Sequence, residues 1–295
     1  MNSGIACALG AYLLWGLLPL YLHLLAGVGV LEVLSHRIVW SLATMAVLLV
    51  ALRRLTGLRE LRARPAIAWR FVATAALISV NWILYIWSIE TGHVVDASLG
   101  YFINPLVNVL LAAVLLHERL RRGQQLAIGL AAAGVLWLTW LAGAPPWLGL
   151  AIAISFSLYG LLRRSAPLGA MEGFAVETAV LAPFALGYLA WLAAQGQLAF
   201  GGGAALTTAL LVGAGPVTTL PLLLFAAGAR RIPFSLLGVL QYLSPTLQWL
   251  CGILVFHEAF DPHKAIGFSL IWLALLLYAA ESLWFGYAQG RDATA

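Results

Sequence analysis

Residues 94–122 read VVDASLGYFINPLVNVLLAAVLLHERLRR, and residues 234–262 read FSLLGVLQYLSPTLQWLCGILVFHEAFDP. Set against each other at a shift of 140 positions, Asn104-Pro105 falls on Ser244-Pro245, Asn108 on Gln248, Leu110 on Leu250 and His117-Glu118 on His257-Glu258. The match extends upstream, where Glu32 meets Glu172 and Tyr85 meets Phe225. At a shift of 144, Trp15-Gly16-Leu17-Leu18 meets Tyr159-Gly160-Leu161-Leu162. The chain contains itself twice.

What is duplicated follows from composition. Of 295 residues, 63% are apolar and 9% charged, against roughly a quarter charged in a soluble domain. About 20 predominantly apolar residues cross a bilayer as a helix. Apolar runs predict ten such helices, over 4–25, 32–52, 67–89, 96–116, 124–142, 147–162, 172–194, 206–228, 234–256 and 264–287. The repeat is five helices long, and because five is odd the second copy enters the membrane upside down. The expected fold is an all-α integral membrane protein of ten transmembrane helices, in two inverted-topology five-helix repeats over 1–143 and 144–295. Charges at matched positions fit the inversion: Glu90 corresponds to Arg230, and Arg121 to Asp261.

Cations resist translocation, so short basic loops stay in the cytoplasm. With the N-terminus inside, 14 of the 16 basic residues fall on the inner side, leaving Arg37, within a helix, and Lys264. Both termini are expected in the cytoplasm, with lipid as the protein's first partner. The first span has no basic residue before it and is too long for the apolar region of a signal peptide. The net charge of +5 sets topology and does not point to nucleic acid. Cys7 and Cys251, both within apolar runs, are too few for a disulfide framework or a four-ligand zinc site.

Polar side chains in a lipid-bound helix normally face the bundle interior or a wet cavity. Tyr101, Asn104 and Asn108 recur at helical spacing beside Pro105, and Gln241, Ser244 and Gln248 form the matching stripe beside Pro245. A proline within a helix leaves carbonyls for other groups to satisfy. The two stripes are therefore expected to line a solute path between the halves, or else to hold helices together. Trp15, Trp82 and Tyr85, with Tyr12, Tyr159 and Tyr242, lie deep enough in spans to wall a cavity for a flat or amphiphilic small molecule. Trp69, Trp147 and Trp191 read as interfacial anchors. Arg37 and Glu177 are the charges placed deepest in spans, at corresponding positions of the two copies. Arg37 is a candidate for an anionic group of the solute, while Glu177, with Asp96 second, is a candidate for carrying a proton. Snorkelling is the alternative for both.

His117-Glu118 and His257-Glu258 lack the second histidine of a zincin helix and are read as structural, so no metal and no cofactor is expected. The chain has no nucleotide-binding Gly-Lys-Ser/Thr loop and no Gly-x-Ser-x-Gly elbow, which argues against an enzyme or an ATP-driven pump. Gly201-Gly202-Gly203 reads as a connector. The parity of the repeat favours a secondary carrier working by alternating access. A passive channel of the same architecture and a non-transporting membrane protein are the alternatives.

Glu32, Ser35-His36-Arg37, Trp40-Ser41, Asn81-Trp82 and the run from Ala97 to Leu106 resemble the EamA family of the drug/metabolite transporter superfamily. Gln241-Tyr242-Leu243-Ser244-Pro245-Thr246-Leu247-Gln248 and Phe256-His257-Glu258 carry the resemblance into the second half. It implies a ten-helix inner-membrane carrier of two repeats with both ends cytoplasmic, in a family whose members move amino acids, nucleotide-linked or phosphorylated sugars and amphiphilic drugs.

Overall fold

The computed structural model describes residues 3–54, 65–90, 94–143, 147–202, 204–257 and 262–292, and among these every regular element is a helix. In chain order they are α1 (Ser3–His23), α2 (Val30–Ala51), α3 (Pro65–Glu90), α4 (Val94–Leu115), α5 (Arg122–Ala142), α6 (Trp147–Arg164), α7 (Ala170–Ala194), α8 (Ala205–Ala229), α9 (Phe234–Leu240), α10 (Leu243–Leu254) and α11 (Pro262–Asp292). Only helices and closed barrels satisfy all backbone groups in a bilayer without water. Among the described residues six helices are long and apolar enough to cross: α1, α2, α5, α7, α8 and α11 through Glu281.

The ninth expected span, 234–256, is not one helix. It divides at Gln241-Tyr242 into α9 and α10 and ends at Leu254. Pro245 has no N–H to give the Gln241 carbonyl four residues back. The Ser244 N–H takes that carbonyl instead at 3.0 Å, while Gln241 and Tyr242 donate to Gly238 and Val239. These three-residue steps tighten the chain into a 3₁₀-like turn. Pro105 occupies the matching position of α4, which runs on unbroken.

Packing respects the duplication. α1 lies against α8 and α10, as α6 lies against α3 and α4; α2 meets α8, as α7 meets α3. The pairs α2 with α7, α4 with α9 and α5 with α11 are each made of counterparts. His117 and His257, counterparts after α4 and α10, both take a left-handed φ of 53°.

One end of the bundle gathers Arg53, Arg54, Arg119, Arg121, Arg122, Arg163, Arg164, Arg230 and Arg231. It is fastened by polar side chains as well as apolar ones. Glu118 accepts from the Phe234 N–H at 2.8 Å and the Ser235 N–H at 3.1 Å at the start of α9. Arg164 donates to the carbonyls of Ala229 and Ile232, and Arg121 makes two 2.6 Å bonds to Glu281. Behind these contacts Tyr12, Met45, Tyr159, Phe225, Phe234 and Leu237 form a buried core. Trp69, Trp147 and Trp191, expected as interfacial anchors, stand exposed.

The crossing of α4 and α9 depends on Gly238, where a Cβ would lie 2.8 Å from Asn108 Cβ and 2.9 Å from the Pro105 carbonyl oxygen. Overpacking a fitted contact costs about 1–3 kcal/mol. Gly238→Leu is expected to lower the melting temperature in detergent by several degrees. Gly187→Leu, with open space around its Cα, is expected to leave it unchanged.

Candidate solute-binding site

A cavity of about 160 Å³ lies where α1, α2, α3, α4, α6, α8, the α9–α10 turn and α10 converge. Nine of the ten solute-binding candidates line it: Trp15, Arg37, Trp82, Tyr85, Tyr101, Asn104, Gln241, Ser244 and Gln248. Apart from Leu222, its lining residues sit in the middle of their helices or in the half away from the arginine-rich end. The cavity is thus set toward the opposite end, above the Tyr12–Tyr159–Leu237 core.

Asn108 departs from expectation, because it stands one layer beneath the cavity. Its amide donates to Asn104 Oδ1 at 3.2 Å and to Gln241 Oε1 at 3.0 Å. Asn104 in turn donates to the Ala153 carbonyl at 2.8 Å and to Ser157 Oγ at 3.1 Å. A buried polar ladder therefore runs from α6 through α4 to the α9–α10 turn and orients two of the amides that face the cavity, Asn104 and Gln241. Gln248, the counterpart of Asn108, does line the cavity and donates to the Trp15 carbonyl at 3.2 Å. The shorter α9–α10 turn re-aims the second stripe, so the stripes are not equivalent.

The walls are aromatic. Tyr85 and Tyr101 meet edge to face with centroids 5.9 Å apart, and Trp15 packs against Phe156 at 5.7 Å. Tyr12 and Tyr159, expected as wall residues, are buried behind Trp15, Phe156 and Phe225 instead. Tyr242 belongs to a separate cluster with Ile103 and Ala274.

Arg37 reaches the cavity from α2. Its Nε donates to Thr218 Oγ1 at 2.8 Å, its only hydrogen bond among the described residues. Its guanidinium carbon stands 5.6 Å from the centre of the Trp82 ring. Among the described residues no carboxylate lies within 4 Å of it.

Glu177 does not reach the cavity. It is buried toward the arginine-rich end, where Thr74 donates at 2.6 Å, Tyr159 donates at 3.2 Å and Arg163 Nε stands 3.6 Å away. Arg163, read from the sequence as a loop charge, is only 1% exposed, as is Glu177. It also donates to the Ala170 carbonyl at 2.9 Å. Hydropathy placed Arg163 just past a span, and sequence alone gives no sign that α6 continues through it. Asp96 lies on the first turn of α4, its side chain outside the described residues, as is Glu258. Sequence reasoning assigned no role in the site to Thr218 or to Asn81, which lines the cavity and grips α6 through the Ile152 carbonyl and Ser155. Their signal was a polar residue inside an apolar span.

A helical membrane bundle with a polar and aromatic cavity between its halves is the architecture of secondary transporters. Residues 2–140 match the EamA-like transporter family. The chain is 47% identical over 282 residues to protein RarD of Streptomyces exfoliatus, covering 96% of this chain and 90% of that protein. It is 43% identical over 290 residues to an uncharacterized transporter of Vibrio cholerae, covering 98% and 96%. A solved crystal structure, 23% identical, superposes with a TM-score of 0.70 over 94% of this chain and 97% of that one. The chain belongs to the EamA-like transporter family, a multi-pass membrane family of the drug/metabolite transporter fold.

Removing one partner of a buried ion pair costs about 3–5 kcal/mol, whereas replacing both by apolar groups is often neutral. Glu177→Gln is expected to lower the melting temperature markedly. The double variant Glu177→Leu with Arg163→Met is expected to recover at least half of the loss. Equal melting of the wild type and Glu177→Gln shows that the pair does not hold this end.

Proposed function

We propose that the protein is a secondary carrier that binds a small amphiphilic solute between two inverted repeats, 1–143 and 144–295, and moves it by alternating access. The observation that carries this is the cavity itself. It draws on both halves of the chain, has amides on its floor and aromatic rings in its walls, and is set above a dense core at one end. A channel needs a continuous wet path, and the buried side chains of Tyr12, Tyr159, Phe234 and Leu237 below the cavity argue against one. The match of residues 2–140 to a family pattern supports a boundary near 143.

With both termini in the cytoplasm, the arginine-rich end faces inward and the described conformation is the outward-facing one. The solute then enters from outside or leaves to it, and the closed end opens in the opposite state. Glu177, held by Arg163, serves this closed end and is not the proton carrier of the cavity. If a proton drives transport, Asp96, at the open end of α4, is the candidate.

Single cysteines in a background lacking Cys7 and Cys251 test orientation and conformation together. Gln197→Cys and Leu22→Cys are expected to react with a small impermeant thiosulfonate added outside, and Ala170→Cys only with reagent inside. Leu237→Cys is expected to be slow from both sides. Reaction of Ala170→Cys from outside refutes the orientation, and rapid reaction of Leu237→Cys from both sides refutes the carrier in favour of a pore.

The amide floor is tested by flux. A solute found by thermal-shift screening is expected to show saturable counterflow in proteoliposomes. Gln248→Leu is expected to reduce that flux about tenfold or more, which corresponds to roughly 1.4 kcal/mol. Its melting temperature is expected to stay near normal, since a single interhelical hydrogen bond in a membrane contributes only about 0.6 kcal/mol.

A further inference from the structure

Arg37 and Glu177 correspond at the shift of 140, and each is hydrogen-bonded to a threonine of the other half: Arg37 to Thr218, Glu177 to Thr74. Those threonines correspond at the shift of 144. So do the residues of α1 and α6 that face them: Tyr159, which donates to Glu177, corresponds to Trp15, and Arg163, which neutralises Glu177, corresponds to Pro19. Trp15 and Pro19 both line the cavity. The closed half thus holds a buried charge, a threonine donor and a counter-ion. The open half repeats the charge and the threonine, but has proline and open space where the counter-ion stands.

An unpaired charge at membrane depth is unfavourable unless a partner or water reaches it. Around Arg37 the described neighbours are neutral: Thr218 on Nε, the Trp82 ring, and Tyr21, Tyr85 and Tyr101 within electrostatic reach. A guanidinium bound through Nε still presents both terminal nitrogens, the geometry that takes a carboxylate through paired hydrogen bonds. Among the described residues there is one such cation at the cavity, so one negative charge completes the site and a phosphate dianion leaves an excess. We infer that the solute bears a single carboxylate, bound by Arg37 beside Pro19 in the place that Arg163 occupies against Glu177. Its flat apolar body lies among Trp15, Trp82, Tyr85 and Tyr101, over the amides of Asn104 and Gln248. This deepens the carrier reading and rests on it.

The test uses matched probes on the purified protein: 3-phenylpropionate against its amide, indole-3-acetate against its amide, and 2-phenylethylphosphonate. Calorimetry and thermal shift are recorded on the wild type, Arg37→Lys and Arg37→Gln. At least one acid is expected to bind the wild type about tenfold more tightly than its amide and than the phosphonate. That preference is expected to shrink in Arg37→Lys and vanish in Arg37→Gln. No preference for either acid in the wild type overturns the inference without recourse to any variant. Preference for the phosphonate, or a preference surviving in Arg37→Gln, overturns it as well. Counterflow of the same probes separates the two readings. Equal transport of acid and amide keeps the carrier and removes the charge rule, whereas acid-selective binding without flux keeps the charge rule and removes the carrier.

Discussion

The 3.0 Å hydrogen bond from Asn108 to Gln241 joins the two halves of the chain directly beneath the cavity. The hydrocarbon of a bilayer cannot solvate an amide N–H, and these amides donate within the bundle. Asn108 finds Gln241 and Asn104, and Asn104 finds Ser157 and the Ala153 carbonyl. The ladder fixes the approach of α4 to α6 and to the α9–α10 turn. Gly238 lets that approach be close, and Pro245 supplies the turn that aims Gln241 at α4. The floor of the cavity is a consequence of those bonds.

The two ends of the bundle differ in what holds them. At the arginine-rich end, arginines bond to carboxylates and to carbonyls at helix ends, as Arg164 does to Ala229 and Ile232. At the other end Glu32 accepts the Ala199 N–H at 2.8 Å, while Glu172, its counterpart, stands 3.8 Å from Arg54 at the arginine-rich end. The same acidic position thus serves a backbone amide at one end and an arginine at the other. A duplicated framework can carry different fastenings at its two ends because only the framework has to match for the halves to pack.

Much of this was legible in the sequence because the signals are collective. Ten apolar runs, a repeat of five and an arginine bias each sum over many residues, so errors at single positions cancel. The polar stripes were legible too, since Asn104 or Gln241 in an apolar run has few places to go. What stayed hidden depends on single local events. Asn108 sits one helical turn from Asn104 and shares its face, yet only the height of the cavity floor decides which of them lines the cavity. The break at Gln241-Tyr242 follows from how one carbonyl is satisfied, and the matching Pro105 shows that proline alone does not dictate it. Arg163 escaped because hydropathy penalises a charge without seeing the acid on another helix that offsets it.

That last omission bears on what a duplicated membrane protein does with its charges. A buried arginine with a buried glutamate is a closed account electrically, and the pair can be sealed in a dry core. Arg37 holds the corresponding helix position and also bonds to a threonine, but the described side chains around it are aromatic or neutral. Under the alternating access proposed above, such a site is tolerable while the cavity is open to water and becomes costly when it shuts. Closing over Arg37 therefore calls for either retained water or a counter-charge brought in from outside. On that proposal the asymmetry between Arg37 and Glu177 gives one half of the molecule an internally paired charge and leaves the charge of the other to be met by what enters the cavity.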